Sequence, residues 1–127
     1  GELAVHATST GKLLLAYLPP QEARRRMDQC RMERYTAYTI TDREVLKREV
    51  AEAASRGYAR DEREYLDDTT CLSFPILNQK KKLLAILSVT SDYWHMKEVS
   101  DAVIREGLQR SKLIAMDLSG GTPVPSF

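Results

Sequence analysis

The chain has 127 residues, 43% hydrophobic and 29% charged, and its 19 basic and 18 acidic residues leave a net charge of +1. This length suits one domain with an adequate core, and the balance of charge argues against a nucleic-acid surface. No apolar run approaches the ~18–20 residues of a membrane-spanning helix, no signal peptide opens the chain, and the cysteines Cys30 and Cys71 lack metal-type spacing, so a reducing cytoplasm is the expected compartment.

In chain order, Thr10 to Leu18 reads as a helix stopped by Pro19-Pro20, and Pro20 opens a second short helix to about Gln29. The first helix emerges from His6-Ala7-Thr8-Ser9-Thr10-Gly11-Lys12. Small and hydroxyl-bearing residues thus sit at the electropositive helix end, where backbone N–H groups lack intrahelical partners. Two readings are open there: Thr8 as an N-cap, or a pocket for a small anion such as a carboxylate. Arg24-Arg25-Arg26 reads as a solvated helix face, because Glu22, Asp28 and Glu33 flank it. Tyr35 to Ile40 is expected to be extended. Thr41 then caps a third helix, with Glu44 at the capping-box spacing. Val45, Leu46, Val50, Ala53 and Ala54 form its apolar stripe, and Gly57 supplies the stop.

Beyond Gly57 the period becomes extended. Tyr58 to Glu64 reads as a strand, and Asp67-Asp68 as a loop. Thr70 to Leu77 and Leu83 to Thr90 read as a hairpin around the polar turn Asn78-Gln79-Lys80-Lys81-Lys82. Trp94 and His95 fall in a loop to which no role is assigned. Helical pattern resumes near Lys97 and continues to about Leu118, with Val99, Val103, Ile104, Leu108, Leu113, Ile114 and Met116 on the buried side. Gly107 is expected to weaken this helix by roughly 1 kcal/mol. Gly120-Gly121-Thr122-Pro123-Val124-Pro125 reads as a stop and a flexible tail, dividing the chain into a domain over 1–119 and a tail over 120–127.

The chain resembles the C-terminal effector-binding domain of IclR-type transcriptional regulators. The carrying residues are His6-Ala7-Thr8 with Gly11-Lys12-Leu13-Leu14-Leu15-Ala16, then Tyr35-Thr36 and Thr39-Ile40-Thr41-Asp42. Further on come Arg56-Gly57-Tyr58-Ala59, Asp61-Glu62, Cys71 before an apolar strand, and Leu84-Ala85-Ile86-Leu87-Ser88-Val89-Thr90. The resemblance runs from about Val5 to Leu118. It implies an α/β (α+β), GAF-like domain whose curved antiparallel sheet, flanked by helices, cups a small effector. In that family a separate N-terminal winged helix-turn-helix binds DNA, and nothing here resembles it. The family's effector domain also begins some tens of residues before its His-Ala-Thr segment. The chain is therefore expected to be N-terminally truncated, without the DNA-reading part and one wall of the pocket.

Carried over position by position, the resemblance implies an effector site of Ser9, Thr10, Gly11, Asp61, Thr69, Cys71, Ser88 and Thr90. Relatives often have smaller residues at Ser9 and Thr10, and Ser91 replaces a usual glycine. Ser88 and Thr90, two apart on a strand, point to one face of the sheet. Backbone N–H groups near Ser9, Thr10 and Gly11 can hold a carboxylate, with the Ser88 and Thr90 hydroxyls as further donors. Asp61 can accept from a ligand hydroxyl, or donate to one if burial keeps it protonated, and is expected at the end of the pocket away from the carboxylate. Cys71 suits the lining of a cavity. His6 is expected to be a structural hydrogen-bonding residue.

The function implied is ligand sensing, with a small organic acid, either a keto acid or an aromatic carboxylate, modulating DNA binding by the missing domain. No cofactor or metal is expected, nor a membrane; homo-oligomers, dimers or tetramers, are. Two rivals remain: an oligomerisation module without ligand, and an enzyme using Cys71 as nucleophile, His6 or His95 as base and Asp61 as orienter. Metal binding by His6, Cys71 and Asp61 is a further minor alternative.

Overall fold

The computed structural model describes residues 3–118 and 123–124. Helix α1 (Ser9–Ala16) starts where Thr8, in extended backbone, accepts from the Gly11 N–H at 3.1 Å. Thr8 is therefore an N-cap. Helix α2 (Pro20–Gln29) carries proline at its first position, and Glu22 pairs there with Arg25 and Arg26. Helix α3 (Arg43–Arg56) is capped by Asp42 and not by Thr41: the Asp42 carboxylate accepts from the Glu44 N–H at 2.9 Å, and its charge suits the positive end of the helix. Gly57 ends α3 in the left-handed conformation, at φ 87°.

The segment from Tyr35 to Ile40 is not extended but a turn. Thr39 Oγ1 accepts from the N–H groups of Tyr35 and Thr36 (3.0 and 2.9 Å) and donates to the Glu64 carbonyl at 2.6 Å. Thr36 Oγ1 accepts from the Tyr38 N–H and donates to the Arg63 carbonyl. Two threonine side chains thus satisfy backbone groups that a strand would have left for a neighbour.

The strands are β1 (Ala59–Glu62), β2 (Thr69–Leu77) and β3 (Leu83–Asp92), antiparallel in the order β1-β2-β3. The β2–β3 hairpin follows the expected pairing, while β1 is shorter than Tyr58 to Glu64 because the chain turns at Arg63, whose φ is 63°. Helix α4 (Tyr93–Asp117) begins directly after β3, since Asp92 caps it by accepting from the His95 N–H at 2.9 Å. Trp94 and His95 therefore lie in its first turn and not in a loop.

One face of the sheet is apolar. Leu72 and Phe74, with Leu87 and Val89 opposite them, pack against Met96, Val99, Val103, Ile104 and Leu108 of α4. Gly107 is buried in this layer, and a Cβ there would overlap the Phe74 ring, so the helix needs a glycine for close approach. The packed stretch stops short of the expected stripe: Leu113 and Met116 are 49% and 73% exposed. The other face receives α1 and α3 through Leu13, Ala53 and Ala59, with Ala16, Tyr17 and Ile86 beside them. A second cluster, Leu15, Ala23, Met27, Leu46 and Val50, joins the three short helices. Of the expected tail, the Val124 N–H donates to the Leu83 carbonyl at 2.6 Å; residues 120–122 and 125–127 lie outside the described residues.

Candidate functional site

The cross-strand register assembles the site. Asp61, Cys71 and Thr90 lie side by side on one rung, and Ala59, Ser73 and Ser88 on a parallel rung two residues away. Because side chains alternate between faces, all six project from the face opposite α4. Ala59 and the residues beyond it are covered by α1 and α3. The rung of Asp61 is left open as a cleft of about 340 Å³, lined by Asp61, Tyr65, Leu66, Thr69, Cys71 and Thr90. Four of the residues named from the sequence converge there. Within it the Thr90 hydroxyl donates to the Cys71 sulfur at 3.2 Å.

Ser9, Thr10 and Ser88 meet at the neighbouring rung, around a residue that the sequence reading passed over. Ser73 Oγ lies 2.8 Å from Ser9 Oγ, 2.9 Å from Ser88 Oγ and 3.5 Å from Thr10 Oγ1. Ser9 and Ser73 are buried, and Ser88 is exposed. Gly11 is placed differently: its N–H is taken by Thr8, and a Cβ on it would strike the Val5 Cα at 2.5 Å. Glycine at this position lets the segment of Ala4 and Val5 close over α1. Helix geometry leaves Ser9 and Thr10 without intrahelical acceptors for their N–H groups.

Under the cleft lies a buried charge cluster. Lys12, 1% exposed, donates to Glu64 Oε1 at 2.6 Å and to the Arg60 carbonyl at 2.8 Å. Asp61, 7% exposed, accepts from the Glu64 N–H at 2.8 Å, while Glu64 Oε2 accepts from the Glu62 N–H. Burial pushes the Asp61 carboxyl up to about 6, against the opposing pull of its backbone hydrogen bond from Glu64. The neighbouring Glu64 charge raises it further and Lys12 lowers it. Burial also raises Glu64, with Lys12 drawing it back. Asp61 is therefore a carboxyl that titrates near neutrality. It can accept from a ligand hydroxyl or, once protonated, donate.

Lys12, Glu64 and Ser73 were not singled out from sequence, although signals existed. Lys12 interrupts an otherwise apolar helix face, and Ser73 continues the period-two alternation of Thr69 and Cys71. Glu64 carried no signal, because its partner is 52 residues away.

The arrangement does not assemble the enzyme or metal alternatives. His6 Nε2 lies 2.7 Å from the Glu33 carbonyl and Nδ1 3.7 Å from Cys30 Sγ, whereas Cys71 contacts Thr90. His95 sits exposed on α4. Among the described residues no three His, Cys, Asp or Glu side chains converge as a metal site, and no helix is long and apolar enough to cross a membrane.

Residues 1–115 match the family described as Bacterial transcriptional regulator IclR C-terminal. The HTH-type transcriptional regulator BhcR of Paracoccus denitrificans is 33% identical over 113 residues, which are 85% of this chain and 40% of that protein. The chain thus spans less than half the length of this curated relative. In architecture it is similar to a Rhodococcus sp. RHA1 protein of known structure, with a TM-score of 0.83 and 24% identity over 92% of this chain and 48% of that one. It is also similar to the inducer-binding domain of an Acinetobacter PobR double mutant in complex with 3-hydroxybenzoic acid. There the TM-score is 0.78 and the identity 25%, covering 94% of this chain and 67% of the other. The matched relatives are transcriptional regulators, not enzymes, and the fold is the GAF-like α+β fold of their C-terminal domains. This chain belongs to the IclR family of bacterial transcriptional regulators, as its C-terminal domain.

Proposed function

We propose that the chain is a ligand-sensing domain that takes a small organic acid in the cleft of Asp61, Thr69, Cys71 and Thr90. The observation that carries this reading is the convergence of these four side chains, from three strand segments, in about 340 Å³, room for a single-ring or short-chain acid. The first turn of α1, through the N–H groups of Ser9 and Thr10, and the Ser88 hydroxyl supply the anion-binding end, while Gly11, whose N–H is taken by Thr8, shapes the backbone there. Asp61 takes the ligand's hydroxyl at the other. Between the two acid classes, the rim residues Tyr65 and Leu66 and the 3-hydroxybenzoic acid bound by the PobR domain support an aromatic carboxylate over a keto acid.

Binding shifts the arrangement of subunits in a dimer or tetramer, and a separate domain reads DNA in a cytoplasmic regulator. The coupling amounts to no more than the ligand's differential affinity for the two arrangements. A thermal-shift panel of small organic acids tests the reading. At about a hundred times its dissociation constant a ligand adds roughly 2.7 kcal/mol. A selective hit that disappears in Asp61→Ala supports sensing, and a hit unmoved by that change removes Asp61 from the site. A flat panel on the full-length regulator leaves the oligomerisation reading.

A further inference from the structure

We infer that Ser73 is a positioning residue that orients the Ser88 hydroxyl with its proton outward, and so favours acceptor ligands such as carboxylates at that hydroxyl. The inference rests on the sensing function proposed above and adds to it a residue that touches no ligand. Ser73 is fully buried in the middle of β2, and its Oγ bridges Ser9 on α1 and Ser88 on β3. A hydroxyl has one proton to donate and two lone pairs to accept with. Ser73 can therefore donate to Ser9 or to Ser88, never to both.

The burial of Ser9 decides which. Ser9 is 1% exposed, and its Oγ has Ser73 Oγ as its sole hydrogen-bond partner among the described residues. If Ser73 donated to Ser9, the Ser9 proton would be stranded away from water, which is costly. Ser9 consequently donates to Ser73. Thr10, at 3.5 Å, sits so as to donate to the second lone pair. The buried Ser73 proton then goes to the nearer acceptor, Ser88 at 2.9 Å, in preference to Thr10 at 3.5 Å. The Ser88 proton is left for the exposed end of the chain, where the ligand's acceptor would lie. All protons run from α1 outward, and each bond strengthens the next. Ser88 keeps one lone pair, so an alcohol or amine can still bond there, but a charged acceptor gains most from the outward proton.

The test compares 3-hydroxybenzoate with 3-hydroxybenzyl alcohol, which differ at the group Ser88 would hold, by calorimetric titration of the 127-residue chain. The wild type is expected to prefer the carboxylate. In Ser73→Ala this preference falls about tenfold, the neutral alcohol losing less than the charged carboxylate, and Ser73→Thr, which keeps the hydroxyl, restores it. An unchanged ratio in folded Ser73→Ala, or an equal loss for both probes, overturns the inference. Should Ser73→Ala fail to fold, Ser73→Cys, close in volume and weak in hydrogen bonding, takes its place. A melting cycle needs no ligand and separates this inference from the sensing function. Ser73→Ala strands the Ser9 proton and lowers the melting temperature, and adding Ser9→Ala recovers part of the loss. If neither probe binds the wild type, sensing of this acid fails and the melting cycle alone decides. A further fall, or no change, on adding Ser9→Ala overturns the relay.

Discussion

The two faces of the three-stranded sheet obey different rules. Toward α4 the sheet offers Leu72, Phe74, Leu87 and Val89 to a helix that offers methionine, valine, isoleucine and leucine in return. Any well-packed set of similar volume would serve. Toward α1 it offers Asp61, Cys71, Ser73, Ser88 and Thr90, whose neighbours are Glu64, Lys12 and Ser9, and here each polar group depends on a particular partner. The apolar face stabilises by area and is tolerant. The polar face is selective because a single deletion leaves a buried group unpaired. This contrast is why the proposed site lies on one side of the sheet.

Four substitutions sharpen or break the comparison, in order of expected effect. Phe74→Ala should cost about 4 kcal/mol in urea unfolding while the folded fraction keeps its ligand selectivity; altered selectivity would show that the faces are not independent. Lys12→Met should cost about 3 kcal/mol at pH 7.5, since it leaves the Glu64 carboxylate buried and alone. Because burial already holds Glu64 above its ordinary value, that loss should shrink as the pH is lowered and Glu64 protonates, and Lys12→Met with Glu64→Gln should recover most of it. A loss independent of pH would mean that Lys12 matters by its packing.

Gly107→Ala should cost about 2 kcal/mol by overpacking against Phe74, although alanine is otherwise the better helix former; a more stable variant would show that the ring gives way. The smallest effect has the opposite sign. The folded value of Asp61, about 6, lies above an unfolded value near 3.9. Its contribution to stability is therefore full below about pH 4 and is lost as pH rises through 6. Asp61→Asn keeps an acceptor for the Glu64 N–H and removes the charge. It should stabilise the domain at pH 8 by about 1 kcal/mol, within the bound of ~3 kcal/mol that the shift represents, and flatten the melting temperature between pH 5 and 8. An unchanged slope would assign that titration to Glu64.

Much of this was legible in the sequence because it is local. The helix stop at Pro19-Pro20, the Gly57 terminus and the β2–β3 hairpin follow from residues within a few positions of one another. The family follows from short motifs kept in order, and of the eight site positions it implied, four (Asp61, Thr69, Cys71 and Thr90) line the cleft. The misreadings were also local contests lost to distant partners. Tyr35 to Ile40 has strand composition, but Thr36 and Thr39 are held by the carbonyls of Arg63 and Glu64. Leu113 and Met116 continue the apolar period of α4 beyond the point where the sheet offers a surface.

The sequence by itself determined the elements, their order and the polarity of each face, since periodicity and capping act over four residues or fewer. Only the tertiary structure decided that Lys12 meets Glu64, that Ser73 stands between Ser9 and Ser88, and that Gly107 admits Phe74. Those pairings join residues 15 to 64 positions apart, and what selects them is the cost of leaving a buried charge, proton or ring without its partner.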